Sequence, residues 1–308
     1  MIDIFLKTLP FFAILALGYG SARTRFFSAE ATDHLTKFVF YFALPAMIFR
    51  FASSLPVDRL LHWPSVLAYL AATACVYLIA TIAARLRGTP RIEAAFEGQS
   101  AAIGNVGFLG IPMLALILGE AAIGPIMLVL ATDLVVFSSL IVVLVSIYRD
   151  GTLSLRTFKT VALGLVKNPM VMAIALGLFW SFNALPVAAP VTSFLDTLGA
   201  ASTPCALFAI GASLAAITAE RPGVAIWLSG LKLGLHPALV AFATLVLFDV
   251  PGFTAAVMIA AAAMPTAGNV YILAKHYGVA PLRVSSTIFI STVLSVLTLT
   301  LVIALVSA

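Results

Sequence analysis

Charged residues are scarce in this chain of 308 residues: they make up 9% of it, whereas hydrophobic residues make up 62%. Soluble domains carry about a quarter charged residues, so this composition excludes an ordinary soluble protein. Cysteine is also rare, and Cys75 and Cys205 show neither metal-binding nor redox spacing, which predicts buried free thiols. The sequence has no HExxH motif, no nucleotide-binding loop and no Ser/His/Asp order in its apolar segments. We therefore predict no enzyme, no cofactor and no bound metal.

Ten apolar stretches are long enough, at roughly 20 residues each, to cross a bilayer as helices. The first lacks a basic leader, so we predict a retained span rather than a signal peptide. The predicted fold class is an all-α polytopic membrane protein. Spans 1 to 10 cover residues 4–22, 35–53, 63–84, 93–118, 122–147, 169–186, 190–218, 224–248, 253–276 and 284–306.

Basic residues are distributed unequally between the two sets of gaps between spans. The gaps after odd-numbered spans hold 13 lysines and arginines, and the other side of the membrane holds 3. Because basic residues are retained in the cytoplasm, we predict an integral protein of a bacterial-type inner (plasma) membrane with both termini outside. The net charge of +5 is thereby explained without a nucleic-acid partner. The 13 are Arg23, Arg25, Lys37, Arg85, Arg87, Arg91, Arg149, Arg156, Lys159, Lys167, Arg221, Lys275 and Arg283; the 3 are Lys7, Arg50 and Arg59.

Span 4 contains a stretch that interrupts a regular helix. Gly104–Pro112 holds three glycines, an asparagine and a proline, and in a helix interior glycine costs about 1 kcal/mol and proline about 3 kcal/mol. Inside a bilayer such a break is tolerated only where protein or a water-filled cavity satisfies the freed backbone groups. We therefore expect a functional discontinuity in this span.

The second half of the chain repeats the first. Gly104-Asn105-Val106 in span 4 recurs as Gly268-Asn269-Val270 in span 9, 164 positions later, and Pro45 of span 2 is matched by Pro204 of span 7. Five spans per half is an odd number, so the second half enters the membrane in the opposite sense. We predict two inverted five-helix repeats, residues 1–160 and 161–308, with the broken helices 4 and 9 crossing near the midplane.

Four groups of motifs, in this order and spacing, resemble the auxin efflux carrier family over essentially the whole chain. They are Phe42-Ala43-Leu44-Pro45-Ala46, Asn105 with Gly110-Ile111-Pro112, Ala209-Ile210-Gly211-Ala212-Ser213-Leu214, and Met264-Pro265 with Ala274-Lys275-His276-Tyr277-Gly278. The resemblance implies a ten-helix fold similar to bile-acid sodium symporters and sodium/proton antiporters. It also implies a panel of helices 1, 2, 6 and 7 facing a transport unit of helices 3–5 and 8–10.

The chain departs from the plant members of that family in two ways. It lacks their long cytoplasmic loop, and Asn269-Val270 stands where they have a second proline. It is therefore similar to the compact bacterial members, some of which are described as malonate or malate permeases.

Asn105 and Asn269 are the leading candidates for substrate contact, because each places an amide at a break. The alternative is that each amide only caps freed backbone groups. The half-helices that begin after the breaks present positive dipole ends to the crossing, which favours an anionic substrate. The remaining candidates are the residues beside these asparagines and the two shape-determining prolines: Gly104, Gly268, Pro265, Thr266, Pro45 and Pro204.

Asp133, Lys232 and His236 are ionisable groups inside spans, where a charge is costly unless paired or hydrated. Asp133 and His236 lie about 16–18 Å from the span ends, at 1.5 Å per residue, and hence near the midplane. We predict that Lys232 reaches Asp133, either as a structural ion pair or as a pair that opens during coupling. In the second case Lys232 takes the place of a sodium ion. His236 is interpreted either as a packed hydrogen-bonding group or as a proton relay.

These features predict a secondary active transporter of small organic anions, such as malonate, malate or auxin-like acids, working by alternating access and driven by protons or the membrane potential. A sodium-coupled symporter or sodium/proton antiporter is the alternative within transport, although span 9 has no carboxylate to complete a sodium site. A membrane sensor that binds a ligand without moving it is the alternative from another class. The expected partners are the anion, protons and the lipid bilayer, with a homodimer left open.

Overall fold

The computed structural model of the protein describes residues 2–55, 62–150, 155–215 and 222–306. Within these ranges every regular element is helical, and the one extended contact is an isolated antiparallel bridge between Gly104 and Thr266. Arg59 and Arg221, which entered the charge count, lie outside the described residues. The helices are α1 (Ile2–Arg23), α2 (Ala29–Ala52), α3 (Trp63–Leu86), α4 (Arg91–Ala102), α5 (Val106–Leu118), α6 (Glu120–Arg149), α7 (Leu155–Lys167), α8 (Pro169–Phe182), α9 (Ala189–Leu214), α10 (Pro222–Leu247), α11 (Gly252–Ala262), α12 (Gly268–Tyr277) and α13 (Pro281–Val306).

Seven of the described helices are long and apolar enough to cross a membrane: α1, α2, α3, α6, α9, α10 and α13. The number rises to eight if α7 and α8, which meet at an angle of 70°, form one broken span, while α5 and α11 are shorter apolar helices. The prediction of an all-α polytopic membrane protein is thus confirmed. Both cysteines are free, as predicted, but neither is fully buried: Cys75 is exposed and Cys205 is partly exposed.

Three helices widen into a π-helical turn directly before a proline. Proline has no N–H to donate to the carbonyl four residues back, and its ring clashes with that carbonyl. A wider turn accommodates the proline while the helix continues. The three turns are Val39–Ala43 before Leu44-Pro45, Val106–Gly110 before Ile111-Pro112, and Leu231–Leu235 before His236-Pro237.

The interruption of span 4 is consequently shorter than the sequence predicts. Only residues 103–105 separate α4 from α5, and Gly107, Gly110 and Pro112 lie within α5. The second half of the stretch stays helical, and its irregularity takes the form of the π-helical turn Val106–Gly110.

The backbones of α1 and α9 touch each other directly, because each helix has a glycine at the contact. A Cβ atom at Gly18 would stand 2.1 Å from the carbonyl oxygen of Phe208, and one at Gly211 would stand 1.8 Å from the carbonyl oxygen of Leu15. Small residues at helix contacts are the usual way in which membrane helices approach closely. The two helices therefore have no room for any larger side chain at these positions.

We expect Gly18→Ala to lower the thermal unfolding midpoint in detergent, because the added methyl group collides with backbone that cannot move aside. The cost should be roughly 1–3 kcal/mol. Gly20→Ala on the same helix is the matched control, since a Cβ there meets nothing within 4 Å. The control should be neutral or stabilising by up to about 1 kcal/mol, from higher helix propensity. Equal midpoints for the two variants would contradict the close contact.

Candidate functional site

The break between α4 and α5 and the break between α11 and α12 pair with each other. The Asn105 N–H donates to the Pro265 carbonyl at 2.7 Å, and the Ala267 N–H donates to the Ile103 carbonyl at 3.0 Å. These two bonds form the antiparallel bridge between Gly104 and Thr266. Each break thus satisfies backbone groups that the other leaves free, as apolar surroundings require.

Thr266 hydrogen-bonds to α13 and to α4 and so holds the paired breaks against both helices. Its N–H donates to Ser291 Oγ of α13 at 3.1 Å, and its hydroxyl donates to the Ser100 carbonyl of α4 at 2.8 Å. The residue is 1% exposed, and Pro265 beside it is buried. In this structure both residues hold the two breaks together through hydrogen bonds and are not exposed.

Gly268, by contrast, is not enclosed by other residues. The residue is exposed, and a Cβ atom built on it would meet nothing within 4 Å. The neighbouring Asn269 has a buried side-chain oxygen without a hydrogen-bond partner among the described residues. Helix α12 begins here with Ala267 as its N-cap residue, so no side chain caps its first amides.

Asn105 occupies the N-cap position of α5, yet its side chain accepts no bond from the first amides of that helix. The capping alternative considered for this asparagine is therefore not what its side chain does in this structure. The crossing offers the amino ends of two helices without side-chain caps, each with an asparagine beside it. Helix amino ends carry partial positive charge and free N–H donors, which suit an anion.

The side chain of Lys232 packs against Gly104, the glycine of the first break. Its Nζ lies 3.2 Å from the position that a Cβ of Gly104 would take, and the lysine is fully buried. The ammonium donates to the Ala262 carbonyl at 2.5 Å and to His236 Nδ1 at 2.9 Å. Ala262 is the last residue of α11, so the positive charge meets the negative end of a helix dipole.

His236 continues this network to α3, where its Nε2 lies 3.0 Å from Thr73 Oγ1. A charged Lys232 can only donate, so in that state Nδ1 accepts from it, the ring proton lies on Nε2, and Nε2 donates to Thr73. Asp133 begins a π-helical turn in α6, and its Oδ1 accepts from the Tyr69 hydroxyl at 2.9 Å. Its Oδ2 has no hydrogen-bond partner in the described part of the chain.

The direct ion pair predicted between Asp133 and Lys232 is not formed in this structure. Both residues are described, and no nitrogen–oxygen distance between them falls within 4.0 Å. The Asp133 carboxylate faces the backbone amide of Gly104, while the ammonium lies against the Cα of the same glycine. Gly104 of the helix break therefore lies close to both residues. The role of the pair in coupling stays a prediction.

Tyr69 and Thr73, which hold these two ionisable groups, were not anticipated. They lie one helical turn apart on α3, and polar residues at that spacing in an apolar helix are the signal that identifies them. Pro45 and Pro204 are not part of the paired breaks. They belong to α2 and α9, which approach closely at Met47 and Gly199, where an added Cβ would lie 3.2 Å from Met47.

A network of ion pairs connects α4 to α13 and to the residue that follows α3. Glu97, 3% exposed, accepts from Arg283 of α13 at 2.8 Å and from Arg87 at the end of α3. Arg283 also donates to Glu93 at 3.0 Å. The arginines entered the sequence analysis only as topology signals, yet two glutamates four residues apart in an apolar span identify the network.

Comparison with known proteins identifies the family of this chain. Residues 3–303 match the profile of a family described as membrane transport protein. The chain belongs to that family. The match confirms the resemblance to auxin efflux carriers and indicates a transporter of the membrane rather than an enzyme. The transporter is also 33% identical over 300 residues to a Rhizobium meliloti (strain 1021) protein named "Putative malonate transporter", covering 95% of this chain and 92% of that protein.

We expect Glu97→Gln to destabilise the transporter by about 3–5 kcal/mol, because it leaves the buried guanidinium of Arg283 without a full counter-charge. The exposed Glu120 supplies the control: Glu120→Gln should change stability by no more than about 0.5 kcal/mol. Glu93→Gln should fall between them, since Glu93 is 31% exposed. Thermal unfolding in detergent measures all three, and equal effects of Glu97→Gln and Glu120→Gln would refute the anchoring role.

Proposed function

We propose that this protein is a secondary active transporter of small organic anions, with short dicarboxylates such as malonate as the first class to test. The observation that carries the proposal is the paired break, which brings together two helix amino ends without side-chain caps, each with an asparagine beside it, and the exposed Gly268. The two carboxylates of such a substrate are suited to the N–H and amide donors found there. The name of the Rhizobium meliloti relative supports the same class.

The proposed architecture is a pair of inverted five-helix repeats, residues 1–160 and 161–308, with both termini outside. Helices α1, α2, α8 and α9 form the panel, and α3–α6 with α10–α13 form the transport unit. Packing supports this division, since α1 contacts α9, and α2 contacts both α8 and α9. Within the proposed unit, α3 contacts α4 and α10 contacts α13. Rocking of the unit against the panel would expose the crossing to each side in turn.

For coupling, we propose that Lys232 acts as a resident cation at the crossing. Its ammonium satisfies the Ala262 carbonyl at the negative end of α11, where a sodium ion would otherwise be needed to offset that charge. Transport would then be driven by protons or the membrane potential. Sodium-coupled symport and sodium/proton antiport are the competing functions on the same fold, and a sensor that binds without transport is the competing function of another class.

Gly268→Leu tests the position of the site. The side chain should enter the open space without disturbing packing, so the variant should keep its thermal midpoint but bind malonate at least about tenfold more weakly, a loss of about 1.4 kcal/mol or more. Gly252→Leu is the matched control: Gly252 is also exposed, is the first residue of α11 and has nothing within 4 Å of a Cβ. Binding is measured by calorimetry, and transport by counterflow of labelled malonate in proteoliposomes.

The outcomes of this experiment separate the competing functions. Binding with counterflow in the wild type and loss of both in Gly268→Leu support the proposal. Binding without counterflow under any imposed pH, sodium or electrical gradient indicates a sensor. If no short carboxylate binds to the wild type, the organic-anion proposal fails.

Lys232→Ala tests the coupling proposal. Removing the ammonium leaves the buried Ala262 carbonyl and His236 Nδ1 unpaired, at a cost of about 1–3 kcal/mol each, and should abolish potential-driven uptake. Sodium or methylammonium ions added at high concentration should restore part of it by entering the vacated position. Lys275→Ala, which removes an exposed lysine of α12, should leave uptake unchanged. Wild-type uptake that requires a sodium gradient would overturn the proposal, and so would unchanged coupling in Lys232→Ala.

A further inference from the structure

Helix α7 is turned sharply away from the span that follows it. The angle between α7 and α8 is 70°, and the sequence fixes this bend at Asn168-Pro169. A residue before proline avoids the helical region, and Asn168 is extended, with its side chain capping α8 by accepting from the Met170 N–H at 3.0 Å. Membrane spans tilt by about 20° on average. A helix turned by 70° from such a span runs close to the plane of the membrane.

One stripe of α7 is apolar and exposed. Leu155, Phe158 and Val166 are 87%, 59% and 62% exposed, and with the exposed Ala162 they recur every three or four residues, which places them on one face. Thr157, on a different face, is 3% exposed, and α7 packs on α6 and α8. The apolar stripe therefore points away from the protein.

Basic residues border this stripe. Lys159 and Lys167 are exposed and lie two helical turns apart, and with Arg156 they give α7 three basic residues and no acidic one. Lysine can lay its aliphatic stem along apolar surface while its ammonium reaches a phosphate. A helix with an apolar stripe and a basic border is the type that lies in the headgroup layer of a membrane.

Charge argues for lipid rather than a second copy of this chain as the occupant. The whole chain carries only 12 acidic residues against 17 basic ones, so another copy offers little to complement the border of α7. Anionic phospholipids supply the complementary charge and the acyl chains in one surface.

We propose that α7 lies in the headgroup layer and binds anionic phospholipid, with Leu155, Phe158 and Val166 among the acyl chains and Lys159 and Lys167 on the phosphates. The site would tie the connection between α6 and α8 to the membrane surface. This proposal requires only that the protein is embedded in a bilayer, and it holds whatever substrate the crossing binds.

Spin labels on α7 test the depth of the apolar stripe. In a background with Cys75→Ala and Cys205→Ala, single labels are attached at Phe158→Cys, Val166→Cys and, as control, Gly164→Cys. Gly164 lies nearly opposite the stripe, and a Cβ there meets nothing within 4 Å. In vesicles of phosphatidylcholine and phosphatidylglycerol, the stripe labels should collide more with oxygen, which dissolves in lipid, and the control label more with a water-soluble nickel complex.

Two results of the labelling would overturn the proposal. Equal exposure of all three labels to the nickel complex would mean that α7 stands in water. Shielding of the stripe labels from both collision partners would mean that protein, such as a second copy, covers the stripe.

The lysines are tested by the affinity of the detergent-solubilised protein for phosphatidylglycerol, read from bound lipid in native mass spectrometry. Lys159→Gln with Lys167→Gln should lower this affinity by on the order of fivefold per lysine, while binding of phosphatidylcholine stays unchanged. Lys159→Arg with Lys167→Arg keeps the charge and should retain the affinity. If the glutamine variant binds phosphatidylglycerol as well as the wild type, the headgroup contact is refuted.

Discussion

The structure depends on two backbone hydrogen bonds between helix breaks, from Asn105 to Pro265 and from Ala267 to Ile103. In apolar surroundings each free backbone group costs several kcal/mol, so neither break is tolerable alone. Paired, each supplies the donor and acceptor that the other requires. The pairing brings four helix ends to one place: the carboxyl ends of α4 and α11, and the amino ends of α5 and α12.

Helix polarity explains how charge is arranged around this crossing. At a carboxyl end the chain supplies its own cation, since Lys232 donates to the last carbonyl of α11 and packs against Gly104. At the amino ends of α5 and α12 the nearby polar side chains are the neutral amides of Asn105 and Asn269, and no atom lies within 4 Å of a Cβ placed on Gly268. This arrangement, with a buried lysine on one side and helix amino ends without side-chain caps on the other, is the basis on which we propose an anionic substrate. The same two glycines therefore have different surroundings: Gly104 is enclosed by a charge, while Gly268 is left accessible.

For Asp133 and Lys232, the sequence predicted the depth in the membrane but not the bonding partners. Depth follows from counting residues along a span, and the sequence predicted Asp133 and His236 near the middle of the membrane, with Lys232 one helical turn from His236. Partner choice depends on lateral position and rotation of each helix, which hydrophobicity does not encode when a helix is apolar all round. Thus Tyr69 and Ala262, rather than each other, bond to these two groups. The network around Glu97 was not predicted, because Arg87 and Arg283 were interpreted only as topology signals, whereas both pair with Glu97.

The sequence by itself determined the class of protein, most of the apolar helical segments and the approximate place of both breaks, because length, hydropathy and helix-breaking residues are local properties. It also carried the family resemblance that the match over residues 3–303 confirms. Only the tertiary structure decided that the breaks bond to each other, that Gly268 is open while Gly104 is closed, and that α5 remains helical through Pro112. Those outcomes depend on contacts between helices that are far apart in the chain, and the packing of the helices decides which groups come into contact.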